Sequence, residues 1–129
     1  MKTFASVAAF AAFAAFAAPV RADISILDNN KTLDVDCAKD PEISLLGNHI
    51  TITTKGVCAR ITIAGNEATV TGSATAVVVA GNHNTVTLAA VDELTIDGNN
   101  NTATVRKSVK LKAPRIANRG KDNHITAPK

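Results

Sequence analysis

A Gly-Asn pair recurs at Gly47-Asn48, Gly65-Asn66, Gly81-Asn82 and Gly98-Asn99, at intervals of 18, 16 and 17 residues. Recurrence at a nearly constant interval means that one local geometry is reused along the chain, so the fold is a repeat array. Asp28-Asn29 fits the same slot 19 residues before the first pair, and Gly120-Lys121-Asp122-Asn123 is a looser final copy. About six units result, with atypical first and last members, as capping repeats require.

The flanks repeat in phase. Four and two residues before each Gly stand Ile43 and Leu45, Ile61 and Ile63, Val77 and Val79, Leu94 and Ile96, with Ile24 and Ile26 in the first unit. Five residues after each Gly stand Ile52, Val70, Val86 and Ala103, with Leu33 in the first unit. Ser25, Ser44, Thr62 and Thr95 lie between the apolar positions, the period-two alternation of short strands with one buried face. Two all-β architectures meet this pattern. One is a single-domain β-solenoid of about six coils, stacked in register about 4.8 Å apart. The other is an antiparallel meander of hairpins with Gly-Asn at each turn. Matched phase at near-constant spacing is what stacking demands, and the solenoid is the expectation. Composition agrees: 46% of the 129 residues are hydrophobic but only 3% aromatic, and all four Phe lie at or before Phe16. A narrow coil has no space for rings.

The solenoid reading gives the turn residues a role. Asn29, Asn48, Asn66, Asn82 and Asn99 would form a ladder of amides bonded from coil to coil. Asn tolerates the left-handed backbone of a tight corner, and the adjoining Gly is expected to supply a positive φ. Cys37 and Cys58 are the two cysteines, an even number suited to one disulfide in an oxidising compartment, with two free thiols as the alternative. They fall at nearly corresponding corners of consecutive units, where a bridge would staple the first coil to the second.

Residues 1–22 read as a secretory signal peptide, with Lys2, an Ala/Phe run from Phe4 to Ala18, and Val20-Arg21-Ala22 as the cleavage site. The run is too short for a spanning helix of about 20 apolar residues, and an uncleaved anchor is the alternative. The remaining 23–129 form the repeat domain with a basic C-terminal cap at 106–129, exported to the periplasm or the exterior. Without Lys2 and Arg21, twelve basic residues face eleven acidic ones, unevenly distributed. Asp23, Asp28, Asp34, Asp36, Asp40 and Glu42 make the front acidic, whereas Arg106, Lys107, Lys110, Lys112, Arg115, Arg119 and Lys121 make the back basic.

Gly-Asn-His-Asn-Thr-Val-Thr-Leu (81–88) and Gly-Asn-Asn-Asn-Thr-Ala-Thr-Val (98–105), with Cys37 and Cys58 bracketing an earlier copy, resemble the bacterial "domain of unknown function 3060" family over roughly Leu33 to Val105. The resemblance implies an exported bacterial protein of repeated short strands with no assigned activity. Glu67-Ala68 departs from the motif, and the basic tail looks particular to this chain.

Candidate sites follow from the repeat. Thr51/Thr53, Thr69/Thr71, Thr85/Thr87 and Thr102/Thr104 stand four and six residues after their Gly. Stacked, they would form two ranks on one flat face, a grid of about 4.8 by 7 Å that resembles threonine-rich ice-binding solenoids. An exposed strand face favouring Thr for its β-propensity is the plainer account. His49 and His83 occupy one slot two units apart, about 10 Å, too far to share a zinc ion, and read with His124 as solvated loop residues. Neutral Asn where calcium-binding repeats need acids argues against calcium. No metal and no cofactor is expected. Asp34/Asp36 and Asp92/Glu93/Asp97 are the close carboxylates, Asp34 and Asp36 sharing one strand face as an acid/base couple would, but nothing supplies a cleft. Arg106 to Lys112 alternates charge and apolar residues and reads as a terminal strand, Val109 and Leu111 inward and Lys110 and Lys112 outward, lysine guarding the edge. Its partners would be anionic envelope polymers or lipid headgroups, or the acidic front of another copy in head-to-tail association. Nucleic acid is not expected from an exported chain without aromatic stacking residues. The function expected is a non-catalytic binding or structural module of the envelope or secretome, with an ice- or surface-binding solenoid second and a polysaccharide-active enzyme third.

Overall fold

The computed structural model describes residues 23–128, so the proposed leader at 1–22 lies outside the described residues. Nine strands make one sheet: β1 (Asp23–Ile26), β2 (Thr32–Asp36), β3 (Glu42–Leu45), β4 (Thr51–Ile63), β5 (Thr69–Val79), β6 (Thr85–Ile96), β7 (Thr102–Val105), β8 (Arg115–Asn118) and β9 (His124–Thr126). Every pairing is parallel, which excludes the hairpin meander. The fold is a β-solenoid of six coils. β4, β5 and β6 each run from one side of a coil round a corner to the next, and their register shifts between Thr53 and Val57 and between Gly72 and Ser73.

Register turns the repeat into columns. Ile24, Ile43, Ile61, Val77, Leu94 and Ile116 stack in one file, and Leu33, Ile52, Val70, Val86, Ala103 and Ile125 in another. From Ile43 to Ala103 these residues are essentially inaccessible, and each buried branched aliphatic contributes about 1.5–3 kcal/mol. The first coil has no neighbour below among the described residues, and Leu33 is accordingly 37% exposed.

The two corners of the coil behave differently. Nine positions separate Asp23 from Thr32, Glu42 from Thr51, Arg60 from Thr69, Ala76 from Thr85, Glu93 from Thr102 and Arg115 from His124, the stretch that carries the Gly-Asn pair. From each Thr to the start of the next coil the separations are 10, 9, 7, 8 and 13, so all length variation collects at the opposite corner. That corner holds the Cys37–Cys58 disulfide, Cα atoms 4.8 Å apart, which ties coil one to coil two. Closing about 21 residues stabilises the fold by roughly 3 kcal/mol in the chain-entropy description.

Glycine is required at the fixed corner for space, not for φ. A Cβ on Gly65 would lie 1.8 Å from the Gly47 carbonyl oxygen, one on Gly81 1.8 Å from that of Gly65, and one on Gly98 1.7 Å from that of Gly81. The left-handed position falls two residues after each Gly, on His49, Glu67, His83 and Asn100, with Asn30 and Asp122 in the end coils. The expectation that Gly carries the positive φ is therefore corrected. Each left-handed residue from Asn30 to Asn100 donates its N–H to the coil above, onto the carbonyls of Asn48, Asn66, Asn82, Asn99 and Lys121 at 3.0–3.2 Å. Those bonds offset the 1–2 kcal/mol that a side chain loses in this conformation.

Gly81→Ala is expected to destabilise by about 3 kcal/mol, because the new methyl group must push stacked backbones apart. Gly56, at φ 80 with open space around its missing Cβ, is the control: Gly56→Ala should lose about 1 kcal/mol from strain alone. Urea denaturation of both variants measures the difference.

Candidate functional site

Threonine lines the second side of every coil. Thr32, Thr51, Thr69, Thr85 and Thr102 stand in one rank, which His124 ends. Thr53, Thr71, Thr87, Thr104 and Thr126 stand in the other, which Asp34 begins. All are exposed except Thr87 and Thr104, which are half-buried. Buried residues alternate with them (Ile52, Val70, Val86, Ala103), so the threonine side chains lie on the outer face by strand geometry. Thr32 and Thr126 join ranks that the Gly-based spacing set at four units. β-Branching limits each side chain to few rotamers, which makes the array stiff.

The Asn ladder runs the length of the fixed corner. Asn48 N–H donates to Asn29 Oδ1 (2.7 Å), Asn66 N–H to Asn48 Oδ1 (3.0 Å), Asn82 N–H to Asn66 Oδ1 (2.8 Å) and Asn99 N–H to Asn82 Oδ1 (2.8 Å). Asn99 Oδ1 then accepts the Lys121 N–H at 2.8 Å, so the last coil is held without an Asn of its own. A second, buried ladder lies beside it, one that sequence reasoning missed. Asn84 Oδ1 accepts the Ala68 N–H, Asn101 Oδ1 the Asn84 N–H and Asn123 Oδ1 the Asn101 N–H, each at 2.8 Å. Their amide nitrogens donate to the carbonyls of Gly65, Gly81 and Gly98. The outer ladder accepts from the coil above and the inner one from the coil below. The spacing Gly-Asn-x-Asn at 81–84 and 98–101 is thus the signature of two opposed ladders, legible in the sequence as a repeat but not as a role.

Between them runs the left-handed column, where His49 Nε2 lies 2.6 Å from Glu67 Oε2. His49 is therefore paired, not merely solvated, while His83 is the exposed residue above Glu67. Among the described residues no group of three or more His, Cys, Asp or Glu is placed to hold a metal ion.

The candidate carboxylates are dispersed. Asp36 caps a turn by accepting the Ala38 N–H at 3.0 Å, and Asp34 stands exposed beside Thr53. Glu93 pairs with Arg115 at 3.8 Å and Asp97 with Arg119 at 3.6 Å. Asp92, 5% exposed, is a structural acid: its Oδ1 accepts the N–H groups of Val109 (2.8 Å), Lys110 (2.8 Å) and Leu111 (3.1 Å). Burial by itself raises its pKa, but the three backbone donors and the Lys110 charge outweigh that and hold it below the usual carboxylate range.

That carboxylate overturns the expected terminal strand. Residues 106–114 form no strand; the segment curls around Asp92, with Val109 and Leu111 half-buried and Lys110 and Lys112 exposed. Its alternation mimics a strand, yet a segment bonded to one carboxylate at three successive amides cannot also serve a ladder. The basic end is divided as well. Arg106, Lys107, Lys110 and Lys112 sit on the loop at the variable corner, Arg115 and Arg119 are paired, and Lys121 is at the fixed corner.

Residues 64–122 match the family described as protein of unknown function (DUF3060). The match supports assigning residues 64–122 to that family. The DUF3060 match begins in the third coil and takes in Arg106–Lys112, so the basic segment lies inside the family's span and is not an appendage to it. No curated protein and no solved structure matches the chain.

The two ladders differ in burial, which sets their expected energetics. Asn101→Ala removes the acceptor of a buried N–H and the donor to Gly81, for a loss of about 3 kcal/mol; Asn82→Ala, at the more accessible outer ladder, should lose about 1 kcal/mol. Urea denaturation separates them. The depressed Asp92 pKa makes a second forecast. Its contribution is complete above the unfolded carboxylate value near pH 4 and is lost as pH falls through the lower folded value. Hydrogen exchange at Val109–Leu111, corrected for intrinsic rate, should stay slow from neutrality to about pH 4 and accelerate only below it.

Proposed function

We propose that the protein is an exported, non-catalytic binding module whose threonine face is the contact surface for an extended, regularly spaced partner. The observation that carries this reading is the pair of five-deep threonine ranks in unbroken register. A planar lattice of hydroxyl and methyl groups meets another periodic surface at many points at once, and its rigid side chains lose little entropy on contact. The two ranks hold one carboxylate, Asp34, and one imidazole, His124, each at an end. A non-catalytic role is favoured because Asp36, Asp92, Glu93 and Asp97 each hold a turn, a loop or an ion pair. A hollow of about 290 Å³ opens at the first coil, lined by Ser25, Ile26, Leu27, Asp28, Lys31 and Leu33, and its single carboxylate, Asp28, is paired with Lys31 at 3.8 Å. Export is supported by the Cys37–Cys58 disulfide, a bond that persists in oxidising compartments.

The test is sedimentation with insoluble envelope polysaccharide. The protein is expected to co-sediment, and Thr85→Tyr, in the middle of one rank, should abolish it with unchanged melting, since Tyr is a good strand former. Equal sedimentation of protein and variant would overturn the reading. The two-dimensional regularity of the same face favours ice as a second partner. Inhibition of ice recrystallisation that Thr85→Tyr removes is the outcome expected there, and the absence of inhibition by the intact protein discards it.

A further inference from the structure

We propose that the Arg106–Lys112 loop is a second binding site, separate from the threonine face, and that its ligand is an acidic polysaccharide. Thirteen positions separate Thr102 from Arg115, where the other coils close the same corner in seven to ten. The extra length is not slack. Asp92 Oδ1 fixes three consecutive amides, Val91 N–H donates to the Lys107 carbonyl at 3.0 Å, and the Ser108 hydroxyl donates to the Leu111 carbonyl. With its backbone anchored from below, the loop presents Arg106, Lys107, Lys110 and Lys112 outward, all exposed.

These four cations differ from Lys31, Arg115 and Arg119, which are paired with acids. Arg115 and Arg119 are paired with acids one coil below, whereas none of the four forms an ion pair among the described residues. Asp92, beneath the loop, directs its Oδ1 to backbone N–H groups and feels the Lys110 charge without a direct ion pair. Four like charges within seven residues repel one another, and the solenoid does not need them to turn its corner. An incoming anion relieves that repulsion without any rearrangement, because the loop is already shaped. The exposed large hydrophobic residues, Leu27, Leu33, Leu46 and Val57, all lie elsewhere, so the loop has no apolar wedge for a bilayer. A flexible chain carrying a charge on each sugar can reach all four cations, and such a chain is the ligand class the surface fits.

The experiment measures binding of the purified protein to alginate oligomers by calorimetry at low and high salt. Binding that weakens with salt is expected. The exposed double variant Lys110→Glu/Lys112→Glu should lose about tenfold in affinity with unchanged melting. Asp92→Ala discriminates further: it adds one unit of net positive charge, so unshaped attraction would tighten binding, whereas a preformed loop predicts weaker binding. Undetectable alginate binding, capture by phosphatidylglycerol vesicles without alginate binding, or unchanged affinity in the double variant would each overturn the proposal. Tighter binding by Asp92→Ala would overturn the role given to the preformed loop. Thr85→Tyr should leave alginate affinity intact, which keeps this site's failure distinguishable from that of the threonine face.

Discussion

At the fixed corner the carbonyl oxygen of one glycine occupies the space that a side chain on the next would need. This contact brings successive backbones as close as stacking allows, and much else is set by it. Two ladders of amides can bridge the coils only because the step between them is uniform. The small aliphatics of the core meet directly above one another for the same reason, and the threonines repeat at one pitch on the outside. A single methyl group at Gly65, Gly81 or Gly98 would disturb all three together.

The architecture is legible in the sequence because the most demanding position, the glycine, is also the most regular. The Asn ladder, the buried files and the bridged cysteines follow from that register. Other features are hidden for identifiable reasons. The left-handed slot carries His49, Glu67 and His83, residues that do not announce that conformation, so the neighbouring glycine looks like its carrier. The inner ladder is masked because Ile50 and Ala68 fill its slot in the second and third coils. Val109-Lys110-Leu111-Lys112 has the alternation of a strand, and only the 22-residue interval from Gly98 to Gly120 hints that the added length forms a loop. A lone acid such as Asp92 gives no pattern at all; its role exists only once the chain has returned above it.

Lysine ends the outer ladder. Lys31 takes the inner Asn slot in the first coil and Lys121 the outer one in the last, so neither end offers an amide oxygen to a further coil. The acidic first coil and the basic sixth, which the charge pattern makes look complementary, thus lack an Asn side chain in the slots where a further coil would be received. Their remaining charges are used internally where they are paired, as in Arg115 with Glu93 and Arg119 with Asp97.

The nine-position stretch and the elastic corner opposite it divide labour within each turn. Because one half keeps count, residues can be gained or lost in the other half without moving any neighbour out of step. The disulfide in the first two turns and the cationic loop in the fifth are two such local additions on an unchanged frame. A lineage built on this plan can acquire surface chemistry one turn at a time, and grafted peptides of different lengths should be accommodated there more readily than anywhere else in the molecule.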